Sequence, residues 1–372
     1  MKILFIGDYS NLHTTLSKEL KAQGHQVDLI SDGCGHMNLD TDIYLKRQPG
    51  LIGGVRYLFN LFELLPRMKD YDVVQLINTN FLSLKPQKIK YFYDQIKNQN
   101  KSVFLTLAGN DYYYVKACYD ARIFRYSEFK IGNEFTPGHK ANPSHMYNWI
   151  SNTNKKWAEY LISDVTGAMA VLPEYEMPVK EIMGDRVKFT NLPIDFAELP
   201  QTSSHFIDDK VNILIGMRTG FEDMKGVKIL HKIAKEIEQE MPDRVNLNIV
   251  KDLPFRDFLN SLAKSDIILD QLYAYSPAMT ALYGMSLGKV AGTGAQPEYY
   301  EAIGNPNDKP LLSLSPYDKD IKERIIDLIE NRDEILLRGK QSKEIACQNN
   351  DVKIVAKKFL DHWNNMLSLQ NE

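Results

Sequence analysis

The chain has 372 residues, long for one domain and suited to two α/β domains. Hydrophobic residues make up 44% and charged residues 25%, as in a soluble globular protein, and the formal net charge of -3 excludes an overall basic field that would recruit nucleic acid. The three scattered cysteines, Cys34, Cys118 and Cys347, form no CxxC pair and no disulfide framework, which fits a reducing compartment.

In chain order, Lys2 to Ile6 reads as a first buried strand, too short a run for a signal peptide. No apolar run approaches the ~20 residues of a membrane span, so the expected location is cytoplasmic. The turn Gly7-Asp8-Tyr9-Ser10-Asn11 follows, with Ser10 or Asn11 as candidate cap of a helix from Leu12 to Gln23. This turn lacks GxGxxG, which counts against a nicotinamide dinucleotide site. Further strands are expected at Val27 to Ile30, Asp72 to Ile77, Val103 to Leu107 and Ala168 to Leu172, with helical stretches between them. That alternation implies a parallel sheet. Between the strands, residues 46 to 69 hold Lys46, Arg47, Arg56, Arg67 and Lys69 against Glu63, around the apolar and aromatic run Leu51 to Phe62. Such a segment is either a core helix with solvated flanks or a seat on an anionic membrane surface. The strand ending at Leu107 leads into Ala108-Gly109-Asn110-Asp111, where Asp111 is a candidate acceptor-binding or proton-accepting residue, or simply a helix cap. His139 and His145 lie in a polar, aromatic segment and read as surface residues.

Near Asn191 the pattern breaks, and residues 196–209 read as a linker. Alternation restarts with strands at Val211 to Ile215, Val245 to Val250, Asp266 to Leu269 and Lys289 to Ala291. Helices are expected over 226–240, 255–264, 278–287, 318–330, 332–347 and 351–366. The strand Ile213-Leu214-Ile215-Gly216 delivers Arg218 and then Lys225-Gly226 to the loop before a helix. A helix N-terminus favours anions. An added arginine fork and lysine charge make a candidate diphosphate clamp. Asp270 and Gln271 end another strand, and Ser276-Pro277-Ala278-Met279 reads as a second helix start, with Ser276 as cap and Pro277 at the first helical position.

These two halves resemble the two-domain GT-B glycosyltransferase architecture, with a doubly wound Rossmann-like sheet in each half. The resemblance is to family 4 of the glycosyltransferases, strongest over 211–304. It implies domains at 1–195 and 210–350 facing a cleft, and a terminal helix, 351–372, crossing back to the first. It also implies that Gly216, Arg218, Lys225 and Gly226 bind a donor diphosphate, that the first loop, Gly7, Asp8 and Ser10, approaches phosphates and acceptor, and that configuration is retained. Relatives carry two glutamates eight positions apart near the donor; Tyr275 and Tyr283 stand there instead. A tyrosine cannot offer a bidentate carboxylate to a ribose diol. The ribose contact then comes from elsewhere, with Glu298 the nearest candidate, or the loop serves a different donor, or catalysis is lost. A branch of bacterial surface-polysaccharide transferases with a similar Asp-Gln-Leu-Tyr loop is the best match. Relatives also place a histidine where Ala108 stands. The expectation is a transferase moving a sugar from a nucleotide-sugar donor to a glycan or lipid-linked acceptor, without metal or other cofactor and with possible peripheral membrane contact. A non-catalytic binding subunit or a nucleotide-sugar epimerase of the same fold remains as an alternative.

Overall fold

The computed structural model describes residues 1–34, 37, 39–202, 206, 209–217, 219, 220, 223–307 and 309–370. In chain order the strands are β1 Lys2–Ile6, β2 Gln26–Ser31, β3 Ile43–Tyr44, β4 Val73–Leu76, β5 Val103–Leu107, β6 Lys130–Ile131 and β7 Glu134–Phe135. They continue as β8 Gly167–Ala170, β9 Val187–Phe189, β10 Val211–Met217, β11 Val245–Lys251, β12 Ile267–Leu269, β13 Val290–Thr293 and β14 Leu312–Ser313. The chain divides into two compact units: residues 1–116, 147–193 and 352–372, and residues 117–146 with 194–351. The excursion of 117–146 into the second unit departs from a contiguous N-terminal domain over 1–195. Residues 352–372 belong to the first unit.

The first unit is built on a seven-stranded parallel sheet of order β3-β2-β1-β4-β5-β8-β9. Its central strands are apolar and fully buried because helices cover both faces. Polar residues interrupt this core at Gln75 on β4 and Thr106 on β5. Gln75 on β4 is wholly buried, and a hydrogen-bond chain serves it: Trp363 Nε1 donates to Gln75 Oε1 (2.9 Å) and Gln75 Nε2 donates to Thr106 Oγ1 (2.9 Å). Thr106 Oγ1 lies 3.1 Å from His13 Nε2, and His13 Nδ1 lies 2.7 Å from the Gly7 carbonyl. A carbonyl only accepts, so Nδ1 carries the proton and Nε2 accepts from the threonine. The Val352–Leu369 helix supplies Trp363, which also meets Phe5, Phe104 and Phe359.

The second unit carries a five-stranded parallel sheet of order β11-β10-β12-β13-β14. Its core joins Ile213, Ile215, Ile267 and Leu269 to helix residues such as Leu230, Ile237 and Ile325. The antiparallel pair β6–β7 belongs to the 117–146 excursion, and Ile131 packs on that core. Ile194 N donates to Asn350 O at 2.7 Å, tying together two of the points where the chain passes from one unit to the other.

Candidate functional site

In an open parallel sheet, ligands bind beyond the carboxyl ends of the strands where strand order reverses. In the second unit that point lies between β10 and β12. The chain leaves β10 and β12 there, and Lys225, Gly226, Asp270, Gln271 and Ser276 fall on the segments that lead to the next helices. Arg218 lies outside the described residues. Gly216 sits within β10, paired with Val250; a Cβ there would make only ordinary contacts with Phe258 (3.5 Å) and Thr280 (3.9 Å). It therefore places the end of β10 beside the start of the Met279–Ser286 helix. Gly226 is the glycine that the geometry requires. It caps the Val227–Glu240 helix at φ +72°, and a Cβ would lie 2.9 Å from Leu272 Cβ. Lys225 is exposed, and its carbonyl accepts from Leu272 N (2.9 Å), so the two loops are stitched together.

Asp270 and Gln271 are buried at the end of β12. Burial pushes the Asp270 carboxyl up, opposed by the nearby Lys225 charge, the Thr293 hydroxyl and the Ala281 N–H. Asp270 thus serves the first turn of the following helix from a distance. This corrects the expected cap: the helix spans Met279–Ser286, Ala278 is its N-cap residue without a side-chain bond, and Ser276 and Pro277 lie upstream. Ala278 itself offers no side chain to the first-turn N–H groups.

Tyr275 is tied inward. Its hydroxyl accepts from Arg125 N (2.5 Å) and Tyr126 N (3.4 Å), and its ring stacks on Tyr126 with centroids 4.7 Å apart. The Arg125 guanidinium lies 4.9 Å from the same ring and grips Glu298 with both nitrogens, at 2.5 and 3.2 Å. Burial disfavours the Glu298 carboxylate, but Arg125 more than offsets it and holds the carboxyl below its ordinary range. Tyr283 is buried edge-on against Phe255. The 117–146 segment also covers the loop after β10, since a Cβ on Gly138 would lie 3.1 Å from the Asp223 backbone. Sequence reasoning missed Arg125; an arginine flanked by Phe124 and Tyr126 was the only local signal. His139 and His145 lie in this segment, packed around Phe129.

In the first unit, strand order reverses between β1 and β4. Gly7 has φ +82°, and a side chain there would collide with Ile77. Ser10 and Asn11 both adopt left-handed backbone, φ 53° and 71°, and Asn11 makes no side-chain cap bond. Asp8 does the capping: its carboxylate accepts from His13 N (2.8 Å), Thr14 N (3.2 Å) and Thr14 Oγ1 (2.6 Å), although burial pushes its pKa up. Burial holds His13 neutral, its pKa lowered to about 3. A cavity of about 100 Å³ opens beside this loop, lined among others by Asp8, Asp32, Tyr57 and Asn80. The buried Asn80 Oδ1 has no hydrogen-bond partner among the described residues, so the cavity offers an acceptor to a hydroxyl. After β5, Asn78 Nδ2 holds the carbonyls of Ala108 (2.7 Å) and Asn110 (3.3 Å). Asp111 accepts from Tyr114 N (2.8 Å), and its burial raises the carboxyl to about 6. A Cβ on Gly109 would lie at an ordinary 3.7 Å from the Tyr9 ring, so the loops after β1 and β5 come together. Among the described residues, no group of three or more His, Cys, Asp or Glu is placed to hold a metal ion, and no helix is long and apolar enough to cross a membrane.

No protein-family pattern and no curated protein sequence matches the chain. Solved structures do. The sucrose-phosphate synthase of Thermosynechococcus elongatus aligns over 99% of this chain and 100% of its own, with a TM-score of 0.68 at 12% identity. The fold is GT-B. HepE of Anabaena, solved with UDP-glucose, aligns over 98% of this chain and 100% of its own, with a TM-score of 0.62 at 14% identity. A putative UDP-N-acetylglucosamine 2-epimerase from Listeria monocytogenes aligns over 97% and 95%, with a TM-score of 0.56 at 13% identity. At these identities the likeness is one of GT-B fold, and the chemistry has to be argued from this chain's residues.

Proposed function

We propose that this protein is a glycosyltransferase that moves a sugar from a nucleotide-sugar donor to a hydroxyl of a glycan or lipid-linked acceptor, in polysaccharide assembly. The observation that carries the reading is the convergence, at the strand-order reversal of the second sheet, of Lys225, the Gly226 turn and the Met279 helix start, whose N-cap residue Ala278 has no side chain to cap it. A diphosphate is held by a cation together with the N–H groups of a helix start. Arg218, two residues beyond Gly216, adds the second cation. These groups stabilise the leaving diphosphate, and the chemistry is chiefly orientation and electrostatics. The acceptor hydroxyl comes from the first unit, where Asp111, raised to about 6, is suited to take its proton near neutral pH. Retention of configuration follows from the resemblance to family 4 and its surface-polysaccharide branch.

One neighbouring fold bears the name of a nucleotide-sugar epimerase, and this favours a second reading in which the donor is isomerised without an acceptor. Thermal unfolding of the protein with a panel of nucleoside diphosphates and nucleotide sugars tests the donor site. A ligand at a hundredfold excess over its dissociation constant adds about 2.7 kcal/mol. The expected result is a midpoint shift with one base, lost in Arg218→Ala and Lys225→Ala. No shift with any member refutes the clamp. Acceptor-independent conversion of the donor into another nucleotide sugar selects the epimerase.

A further inference from the structure

The Gly50–Leu64 helix buries Gly53, Tyr57 and Leu61. At about 100° per residue, these three lie at roughly 200–280° around the axis, measured from Leu51. Leu51, Ile52, Val55, Phe59 and Phe62 fall within roughly 0–100° on the same wheel. They are 90, 87, 68, 61 and 51% exposed. The helix therefore has two apolar faces, one in the core and one in water. Single exposed apolar residues need no explanation; five large ones on one stripe do. Tyr91, exposed on the Pro86–Asn98 helix, extends the stripe, with its ring centroid 6.0 Å from Phe62.

Cations frame the stripe. Lys46 and Arg47 precede the helix, Arg56 borders the exposed face, Arg67 and Lys69 follow, and Lys88 stands one turn before Tyr91. Against them stand Glu63 and an Asp70 that Lys69 approaches at 4.0 Å. This local excess of positive charge runs against the chain's net charge of -3. An apolar stripe rimmed by cations is complementary to a bilayer whose headgroups are anionic and whose interface takes up apolar side chains.

We propose that the Gly50–Leu64 helix seats this protein on an anionic lipid surface through Leu51, Ile52, Val55, Phe59 and Phe62. Tyr57, on the inner face of the same helix, lines the cavity that holds Asp8 and the unpartnered Asn80 Oδ1. A seated helix thus puts that cavity about one helix diameter, ~10 Å, from the headgroups. If the transferase reading holds, on which this last step rests, the acceptor is the lipid-linked one, with its hydroxylated head in the cavity.

The test is flotation of the full chain with vesicles of phosphatidylcholine alone and of phosphatidylcholine mixed with phosphatidylglycerol. The protein is expected to float with the mixed vesicles only, and less so in ~0.5 M salt, where the Debye length falls below ~5 Å. The double variant Ile52→Asp/Phe59→Asp is expected to bind at least about tenfold more weakly. Both side chains are more than 60% exposed, so its urea midpoint should match the parent's. Equal binding of parent and variant, equal binding to neutral vesicles, or no binding at all overturns the proposal. So does a parent that sediments as a dimer and a variant that sediments as a monomer, which would make the stripe a contact between copies. The nucleotide-induced thermal shift is read on the same variant. Loss of that shift in the parent sinks the transferase reading and leaves the membrane result standing.

Discussion

His13 provides a test of the buried network that runs beneath the first loop. Its ring is fully buried between the Gly7 carbonyl and Thr106, and its pKa falls from the ordinary 6.5 to about 3. The unfolded chain takes up a proton as pH drops through 6.5, and the folded one does not. Stability contributed by the neutral ring is therefore fully present above that value and is lost on acidification towards about 3. Between pH ~7.5 and pH ~5 the loss amounts to about 2 kcal/mol. Asp111 works the other way: its folded pKa is raised to about 6, so protonation stabilises the fold as pH drops, by about 1.4 kcal/mol over the same window. The parent's own pH profile mixes the two. Comparison with His13→Gln isolates the histidine, because Asp111 is common to both proteins. The variant should be the less stable protein at pH ~7.5, and the gap should narrow by about 2 kcal/mol at pH ~5. Urea unfolding followed by tryptophan fluorescence reads the right unit, since Trp149, Trp157 and Trp363 all lie in the first. A gap that stays constant with pH would falsify the assignment of a buried, neutral His13.

Two further outcomes follow from the donor and acceptor sides. Tyr275→Phe removes the acceptor of the Arg125 and Tyr126 N–H groups, a loss of about 1–3 kcal/mol; amide exchange over 122–128 should accelerate while the fluorescence midpoint of the first unit holds, and unchanged exchange would show that the hydroxyl anchors nothing. Asp111→Asn keeps an oxygen to accept the Tyr114 N–H, so the fold should survive, while kcat/KM drops roughly 10²–10⁴-fold and the acid limb near pH ~6 disappears; a variant that keeps this limb excludes Asp111 as the base.

The strands were legible because parallel strands covered on both faces are continuous apolar runs, and β1 and β5 begin and end at the residues expected. The helix starts were less so. Local capping rules pick the nearest Ser or Asn, but here Asp8 and Asp270 reach several residues forward, past left-handed Ser10 and Asn11 in one case and past Pro277 in the other. Their residue type was a fair cue and their spacing was not. The 117–146 excursion was invisible because its contacts span about 150 residues of sequence: Arg125 has no local partner that announces Tyr275 or Glu298. The apolar run of 51–62 left both a core helix and a membrane seat open, with the core helix favoured, because periodicity cannot say which of two apolar faces is buried. The exposures of Leu51 and Ile52 decide that the second face is in water.

The excursion also bears on the missing glutamates. In the resembling family two carboxylates serve the donor. In this chain Tyr275, at one of their positions, has its hydroxyl occupied by two backbone N–H groups of the 117–146 segment, and Glu298, the nearest carboxylate, is gripped by Arg125 of the same segment. Both side chains have become structural fastenings for a piece of chain that comes from the N-terminal half and covers the loops after β10 and β12. Under the transferase reading, a donor held by Lys225, Arg218 and the Met279 helix start has to fit beside a segment whose own attachment depends on those loops. Binding and the order of 117–146 become one equilibrium: a ligand that fixes the loops fixes the segment, and loosening the segment weakens the ligand by the same factor. Under the transferase reading, Arg125→Ala, which takes the guanidinium from both the Tyr275 ring and Glu298, should therefore lower nucleotide affinity; a nucleotide-induced thermal shift equal to the parent's would refute the coupling.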